Sequence, residues 1–259
     1  VAASGLTGPF VSLIGLVIAL FVAGTGQLCT ENMGKADIGK VNQIFSTMVV
    51  CVTVFGLLMT VLFTAFSPMF LPFMAKGANP QVMEMADGYL RGYSLIIIPM
   101  SLSSLLNSLF ALDNDQKRSL GYAVIILVAD VVLDLLNVFV FHGGLFGMAL
   151  ASVVSAIIGL LYLLLHFCQE GHLLRFSMNN LNFRDVPKVL VYGFAGAIPM
   201  LMGSFRAASF NYVLLKAGGT DAIAAFSAAG CAFILLVSLT MTIQSVTASL
   251  SGLAFGEED

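Results

Sequence analysis

Long apolar blocks alternate with short polar ones along the whole chain. Seven blocks reach the roughly twenty residues that a helix needs to cross the hydrocarbon core of a bilayer. They run over residues 8–29, 41–66, 89–112, 119–141, 146–168, 187–213 and 224–250. Blocks this long and continuous do not fit a transmembrane barrel, whose strands are segments of roughly ten alternating residues. The polar connections carry turn chemistry. ENMGKADIGK (31–40), DNDQKR (113–118), HGG (142–144) and KAGGTD (216–221) predict short links. SPMFLPFMAKGANPQ (67–81) contains prolines and a glycine that predict a helix break. QEGHLLRFSMNNLNFRDVP (169–187) is the longest and most polar connection. It divides the chain into a first lobe (1–168), a linker (169–186) and the start of a second lobe (187–259).

Composition supports this pattern. Of 259 residues, 59% are hydrophobic and 10% charged, and the mean hydropathy is +0.99. A soluble domain carries about 25% charged residues, so the expected class is an all-α polytopic membrane protein. The net charge of −3, with no long basic run, excludes nucleic acid as an expected partner. Cys29, Cys51, Cys168 and Cys231 are scattered without a CxxC spacing, so neither zinc binding nor redox work is expected of them. The connections at 30–40, 113–118 and 169–186, with Lys188 beside them, hold seven Lys or Arg. The opposite side holds three: Lys76, Arg91 and Lys216. That bias predicts that those three connections lie in the cytoplasm; the expected location is the plasma membrane, a bacterial inner membrane, crossed several times.

One repeat is visible. Residues 1–37 align without a gap on residues 223–259, with eight identities that include Gly34/Gly256 and Asp37/Asp259. The seventh span then restarts what the first began, and one repeat is six helices. An even count gives two parallel lobes related by an axis along the membrane normal. The chain also opens inside an apolar block without an initiator Met. It is expected to be part of a twelve-helix protein of two six-helix lobes, truncated here to about seven spans.

The chemistry concentrates in the fourth span, GYAVIILVADVVLDLLNVFVF. Asp130, Asp134 and Asn137 recur there at i, i+4 and i+7, on one helix face. A carboxylate at the centre of a membrane helix costs roughly 2.5–3.5 kcal/mol on insertion scales, and such residues usually face a cavity and carry function. Two of them one turn apart cannot both ionise cheaply in a low dielectric. A proton or Na⁺ at Asp130 and Asp134 is the expected occupant. The alternative is a pair of structural carboxylates satisfied by neighbouring helices. Further candidates to line a cleft are Asn107, Asn137, Gln27, Gln244 and Arg206, each with an ordinary packing, hydrogen-bonding or snorkelling role as the competing reading.

The segments GTGQLCTENMGKADIGKVNQIFS, YLRGYSLIIIPMSLSSLLNSLFALDNDQKRS, ADVVLDLLNVFVFHGGLFGMALASVVS, AIP (197–199) and GGTDAIAAFSAA, in this order and spacing, resemble the multidrug and toxic compound extrusion (MATE) family of cation-coupled antiporters. The resemblance runs the length of the chain. It implies two six-helix lobes around a cleft that alternates between faces. The implied activity is export of amphipathic or cationic organic compounds in exchange for H⁺ or Na⁺, by a monomer in a lipid bilayer with no cofactor. By the family pattern Asp134 matches an acidic residue of the fifth helix. Asp130 stands where Asn is usual, which leaves both H⁺ and Na⁺ open. Ser152 takes the place of a hydroxyl residue on the sixth helix.

Other classes fit less well. A flippase for lipid-linked sugars, the second reading, uses a cationic cleft, and Arg206 is the one basic residue well inside a predicted span. A retinal protein needs a lysine in its last helix, and 224–250 has none. No HExxH, no GxGD and no membrane Ser/His pair suggests an enzyme.

Overall fold

The computed structural model describes residues 2–74, 80–110, 112, 113, 115–168 and 172–198, with isolated helical positions between 201 and 255. Arg206, Gln244, Cys231 and most of the second copy of the repeat lie outside the described residues. Among the described residues the regular structure is helical throughout. The helices are α1 (Ala2–Gly34), α2 (Ile38–Met74), α3 (Pro80–Ser94), α4 (Ile97–Leu109), α5 (Gln116–Leu136) and α6 (Gly144–Leu164). Residues 186–198 form a further helix, α7. A π-helical turn, Asn137–Phe141, prolongs α5, and a 3₁₀ turn, Leu165–Cys168, prolongs α6.

Among the described residues, four stretches are long and apolar enough to cross a membrane: Ile14–Gly34, Ile38–Phe66, Lys117–Phe141 and Phe146–Cys168. A fifth is formed if α3 and α4 count as one bent span. The protein is thus an all-α polytopic membrane protein. The outer face of α5 exposes Leu120, Val124, Leu127, Val131 and Leu135, as a helix bordered by lipid does.

Two expectations need correction. The prolines at 68 and 72 do not end the second helix, which runs on to Met74. Membrane helices tolerate proline because neighbouring groups satisfy the freed carbonyls. Conversely, the expected single helix over 89–112 is broken, with α3 and α4 meeting at 44°. Pro99 lies in the first turn of α4. It cannot donate to the carbonyl of Leu95, and its ring crowds that carbonyl. The chain instead turns tightly through Leu95 N–H to Gly92 O (3.3 Å) and Ile96 N–H to Tyr93 O (3.0 Å). The carbonyl of Ser94, freed by the break, accepts from Thr60 Oγ1 of α2 at 3.0 Å. The Ser94 hydroxyl pairs with Thr64 Oγ1 at 3.0 Å. Hydroxyls of α2 therefore hold the bend.

Close helix approach depends on glycine. At the α1–α7 crossing, a Cβ on Gly24 would strike the carbonyl of Val189, and one on Gly193 would strike that of Leu20. Backbones this near leave no room for a side chain, which is how small residues let membrane helices pack. Along α5 and α6, Tyr162 fills the notch at Gly121, Tyr122 fills the notch at Gly159, and the Asn137 side chain fills the notch at Gly147. These three contacts step down the antiparallel pair and fix its register.

The largest apolar cluster lies at the end of the bundle that carries the linker. It joins Leu28 and Cys29 of α1, Ile44, Phe45 and Met48 of α2, Leu105 and Leu109 of α4, Leu163 of α6, Leu174 and Val189. A smaller one, Ile14, Ile18, Phe63, Leu90 and Ile97, fills the space near the bend.

Gly193→Val is expected to lower stability by about 1–3 kcal/mol, the usual cost of overpacking. Gly15→Ala, whose Cβ meets open space, is expected to be near neutral. Thermal unfolding of the purified protein in detergent reads the difference, and equal melting temperatures would refute the backbone-contact account of the α1–α7 crossing.

Candidate ion-coupling site

Asp130 and Asp134 lie in the second half of α5, which packs against α6. The register set by the Gly–Tyr notches brings Ser155 of α6 across from Asp130, and its Oγ donates to Asp130 Oδ1 at 3.0 Å. The same hydroxyl lies 2.9 Å from the carbonyl of Ser152, so its single proton is shared between two acceptors. Asp134 differs: its Oδ1 is buried and has no hydrogen-bond partner among the described residues. An unsatisfied buried polar atom is rare and calls for an explanation. A carboxylate oxygen needs either a proton of its own or a cation to be stable in such a place.

Two tyrosines of α3 complete the described surroundings. The rings of Tyr89 and Tyr93 stack with centroids 5.5 Å apart. Tyr89 is within electrostatic range of Asp134, and Tyr93 of Asp130. Sequence reasoning missed both, because an aromatic at the start of a membrane helix reads as an interfacial residue. The signal available was their i, i+4 spacing, which matches that of the two aspartates.

The other candidates fall in different places. Ser152 takes part through its backbone carbonyl, and the hydroxyl facing Asp130 belongs to Ser155, one turn further along α6. Asn137 is buried and donates to the carbonyl of Gly144 at 3.1 Å. It ties the π-helical end of α5 to the start of α6 across a turn in which His142 (φ 50°) and Gly144 (φ 57°) adopt left-handed conformations. Beside Asn137 lies an apolar pocket of about 300 Å³, lined by Leu133, Phe141, Phe146 and Leu150 among others. Asn107 accepts from Ser119 Oγ at 2.7 Å, which links α4 to the first turn of α5, away from the aspartates. Gln27 is half-buried in α1, and its carbonyl accepts from Thr30 Oγ1 at 2.8 Å. No group of three or more His, Cys, Asp or Glu is placed to hold a metal ion among the described residues.

The arrangement is a pair of intramembrane carboxylates, one with a donor and one bare, in a helical membrane bundle. Comparison with known proteins agrees with that class. The profile of the MatE family matches residues 1–136, and the chain belongs to that family. A crystal structure of a MATE protein in complex with MaL6 superposes with a TM-score of 0.92 at 20% identity, over 99% of this chain and 57% of that one. An outward-facing multidrug resistance MATE family transporter of the MOP superfamily superposes with a TM-score of 0.88, also at 20% identity, over 99% of this chain and 57% of that one. The inward-facing conformation of such a transporter gives 0.75 at 19% identity, over 97% and 56%. The chain thus spans a little over half the length of the structures it matches. No curated protein matches it.

Ser155→Ala removes the donor to Asp130 and is expected to cost about 1–3 kcal/mol if the carboxylate is ionised. Ser152→Ala leaves the carbonyl in place and is expected to change stability by less than about 0.5 kcal/mol. Thermal unfolding at pH 7 separates the two, and a larger loss in the Ser152 variant would show that the register is wrong.

Proposed function

We propose that the intact protein is a secondary active exporter of amphipathic or cationic organic compounds, and that it works in exchange for H⁺ or Na⁺ by alternating access. The observation that carries this reading is the bare, buried Oδ1 of Asp134 one turn from Asp130 in an otherwise apolar span. A group in that state gains most from a proton or a small cation and loses it when water enters. Binding at the pair relieves the repulsion between the two carboxylates. The Ser155 hydroxyl and the stacked tyrosines then meet a different charge on α5, and the packing of α5 against α6 changes with it. That gives ion binding the differential contact with two conformations that any coupling requires.

The conformation also bears on the cycle. The fit to an outward-facing relative is better than to an inward-facing one. The α1–α7 glycine crossing, with Tyr192 Oη donating to Glu31 Oε2 at 3.3 Å, closes the bundle at its linker end. In the proposed orientation that end is cytoplasmic and the protein sits in the plasma membrane, with 1–168 as the first lobe and 187 onward as the start of the second. Reopening there requires the glycine crossing to separate.

In proteoliposomes of the full-length protein, ethidium efflux is expected under an imposed pH gradient or an imposed Na⁺ gradient. Asp134→Asn is expected to abolish the gradient-driven part. Full coupled efflux by the Asp134 variant would remove the carboxylate pair from the mechanism. A folded protein without efflux under either gradient would favour a lipid-linked substrate.

A further inference from the structure

A second buried acid–base cluster lies at the opposite end of α5 from Asn137 and belongs to no part of the mechanism above. His166, at the end of α6, has both ring nitrogens against carboxylates. Nε2 is 2.6 Å from Asp113 Oδ2, and Nδ1 is 2.8 Å from Asp115 Oδ2. The imidazole and the Asp113 side chain are 6% and 1% exposed. The ring is packed against Phe110 at 4.5 Å, the edge of Phe167 at 5.4 Å and His172 at 5.7 Å.

Donor and acceptor accounting constrains this arrangement. A neutral imidazole has one N–H and one lone pair, whereas the imidazolium has two donors. With both aspartates ionised, only the imidazolium satisfies both contacts. In the neutral form a lone pair would face a carboxylate oxygen at hydrogen-bond distance. Charge gives the same answer. The groups facing His166 are Asp113 from the α4–α5 turn, Asp115 and Arg118 from the start of α5, and His172 from the linker. Arg118 Nε pairs with Asp115 Oδ2 at 2.8 Å and lies over the Tyr162 ring at 5.7 Å. Two aspartates against Arg118 and an imidazolium sum to zero. Loss of the proton leaves one negative charge without compensation in a buried site.

The cluster also holds the linker. Asp113 Oδ1, its other oxygen, accepts from the backbone N–H of Leu173 at 2.6 Å. From there the linker is fastened to α2 at successive points. Arg175 N–H donates to Asn42 Oδ1 (2.7 Å), Ser177 N–H to Ser46 Oγ (3.0 Å) and Asn182 N–H to Thr47 Oγ1 (3.0 Å). The strap ends in an ion pair, Lys40 Nζ to Asp185 Oδ2 at 2.6 Å, just before α7 begins. Asp113 therefore fastens the segment that leads from α6 to the glycine crossing of α7 near its start.

We propose that the Asp113–His166–Asp115 cluster is a proton-binding latch, separate from Asp130 and Asp134, that fastens the 172–185 linker to the first bundle when it holds a proton on His166 and releases its leading end when that proton is lost. The direction follows from the histidine. The fastening is complete with the proton on His166 and weaker without it, because only the imidazolium has a donor for each aspartate. Asp115 does not oppose this across neutral pH. Burial works against its charge, but hydrogen bonds from His166 and Arg118, with the Arg118 charge, outweigh it and hold the carboxyl below the ordinary carboxylate range. Its contribution is present above that range and lost only as pH falls through its lowered folded value. The latch rests on this geometry alone, whichever ion drives transport.

Hydrogen–deuterium exchange on the intact protein in nanodiscs tests the latch, read at the peptide containing Leu173 and Arg175. Rates are corrected for the intrinsic effect of pH on exchange. Between pH 6 and pH 9, protection in the wild type is expected to fall at least about tenfold, the effect of losing one charge-assisted hydrogen bond. His166→Gln is expected to give low protection that does not vary with pH, and His142→Gln to keep the wild-type profile. If His166→Gln unfolds the protein, visible as lost protection in α2, Asp113→Asn removes the latch acceptor's charge and is expected to flatten the profile. The proposal is overturned if wild-type protection does not change with pH, or if the His166 variant or its Asp113 substitute keeps the wild-type profile. It is equally overturned if His172→Gln alone abolishes the pH dependence.

Discussion

A carboxylate placed in a hydrocarbon slab must be compensated, and most of what is legible in this fold follows from that constraint. Asp130 and Asp134 cannot face lipid, so α5 must turn one face inward while the opposite face, lined by Leu120, Val124 and Leu127, remains apolar and exposed. Burying that face requires a neighbour at a defined height. The three glycine notches at 121, 147 and 159 supply it, since each is filled by one side chain from the opposite helix. Ser155 is brought to Asp130 by this packing. The polar contact is a consequence of the apolar one, and a side chain at Gly159 would displace the Ser155 donor without touching either aspartate.

The two carboxylates are unequal because their surroundings are unequal. Asp130 has a hydroxyl donor; one oxygen of Asp134 has none among the described residues. Hydrogen bonding to a charged oxygen favours the charged form, and the lack of it leaves the group dependent on a proton or a cation. Tyr89 and Tyr93 extend the same logic to α3. They lie just before the bend that Pro99 imposes, so the bend and the ion site share one neighbourhood.

The spans and their class were legible in the sequence because hydropathy over twenty residues is a strong, additive signal. The break between α3 and α4 was not inferred, although Pro99 was in plain view. One proline in an apolar run can either kink a helix or be absorbed, and the outcome depends on whether hydroxyls such as Thr60 and Thr64 are there to take the freed groups. The prolines at 68 and 72 went the other way. The aspartates stand out in the sequence because charge in an apolar span contrasts with its background. Ser155 was not, because family pattern pointed to Ser152 and the difference of one turn is set by glycine contacts between two helices. The His166 cluster left no trace at all in the sequence. Its partners lie 51 and 53 residues before His166, each sits in a polar connection where such residues are ordinary, and only the antiparallel return of α6 brings the histidine to them.

The central claim is that the pair on α5 takes up the coupling ion, and infrared difference spectroscopy of the carboxyl C=O stretch tests it most directly. The measurement would use the full-length protein in lipid, stepped in pH and then in Na⁺. The account predicts a protonated-carboxyl band from a buried, weakly bonded group that disappears when pH is raised or Na⁺ is added, and that is missing in Asp134→Asn. A band unchanged in that variant, or no band responding to either ion, would contradict it.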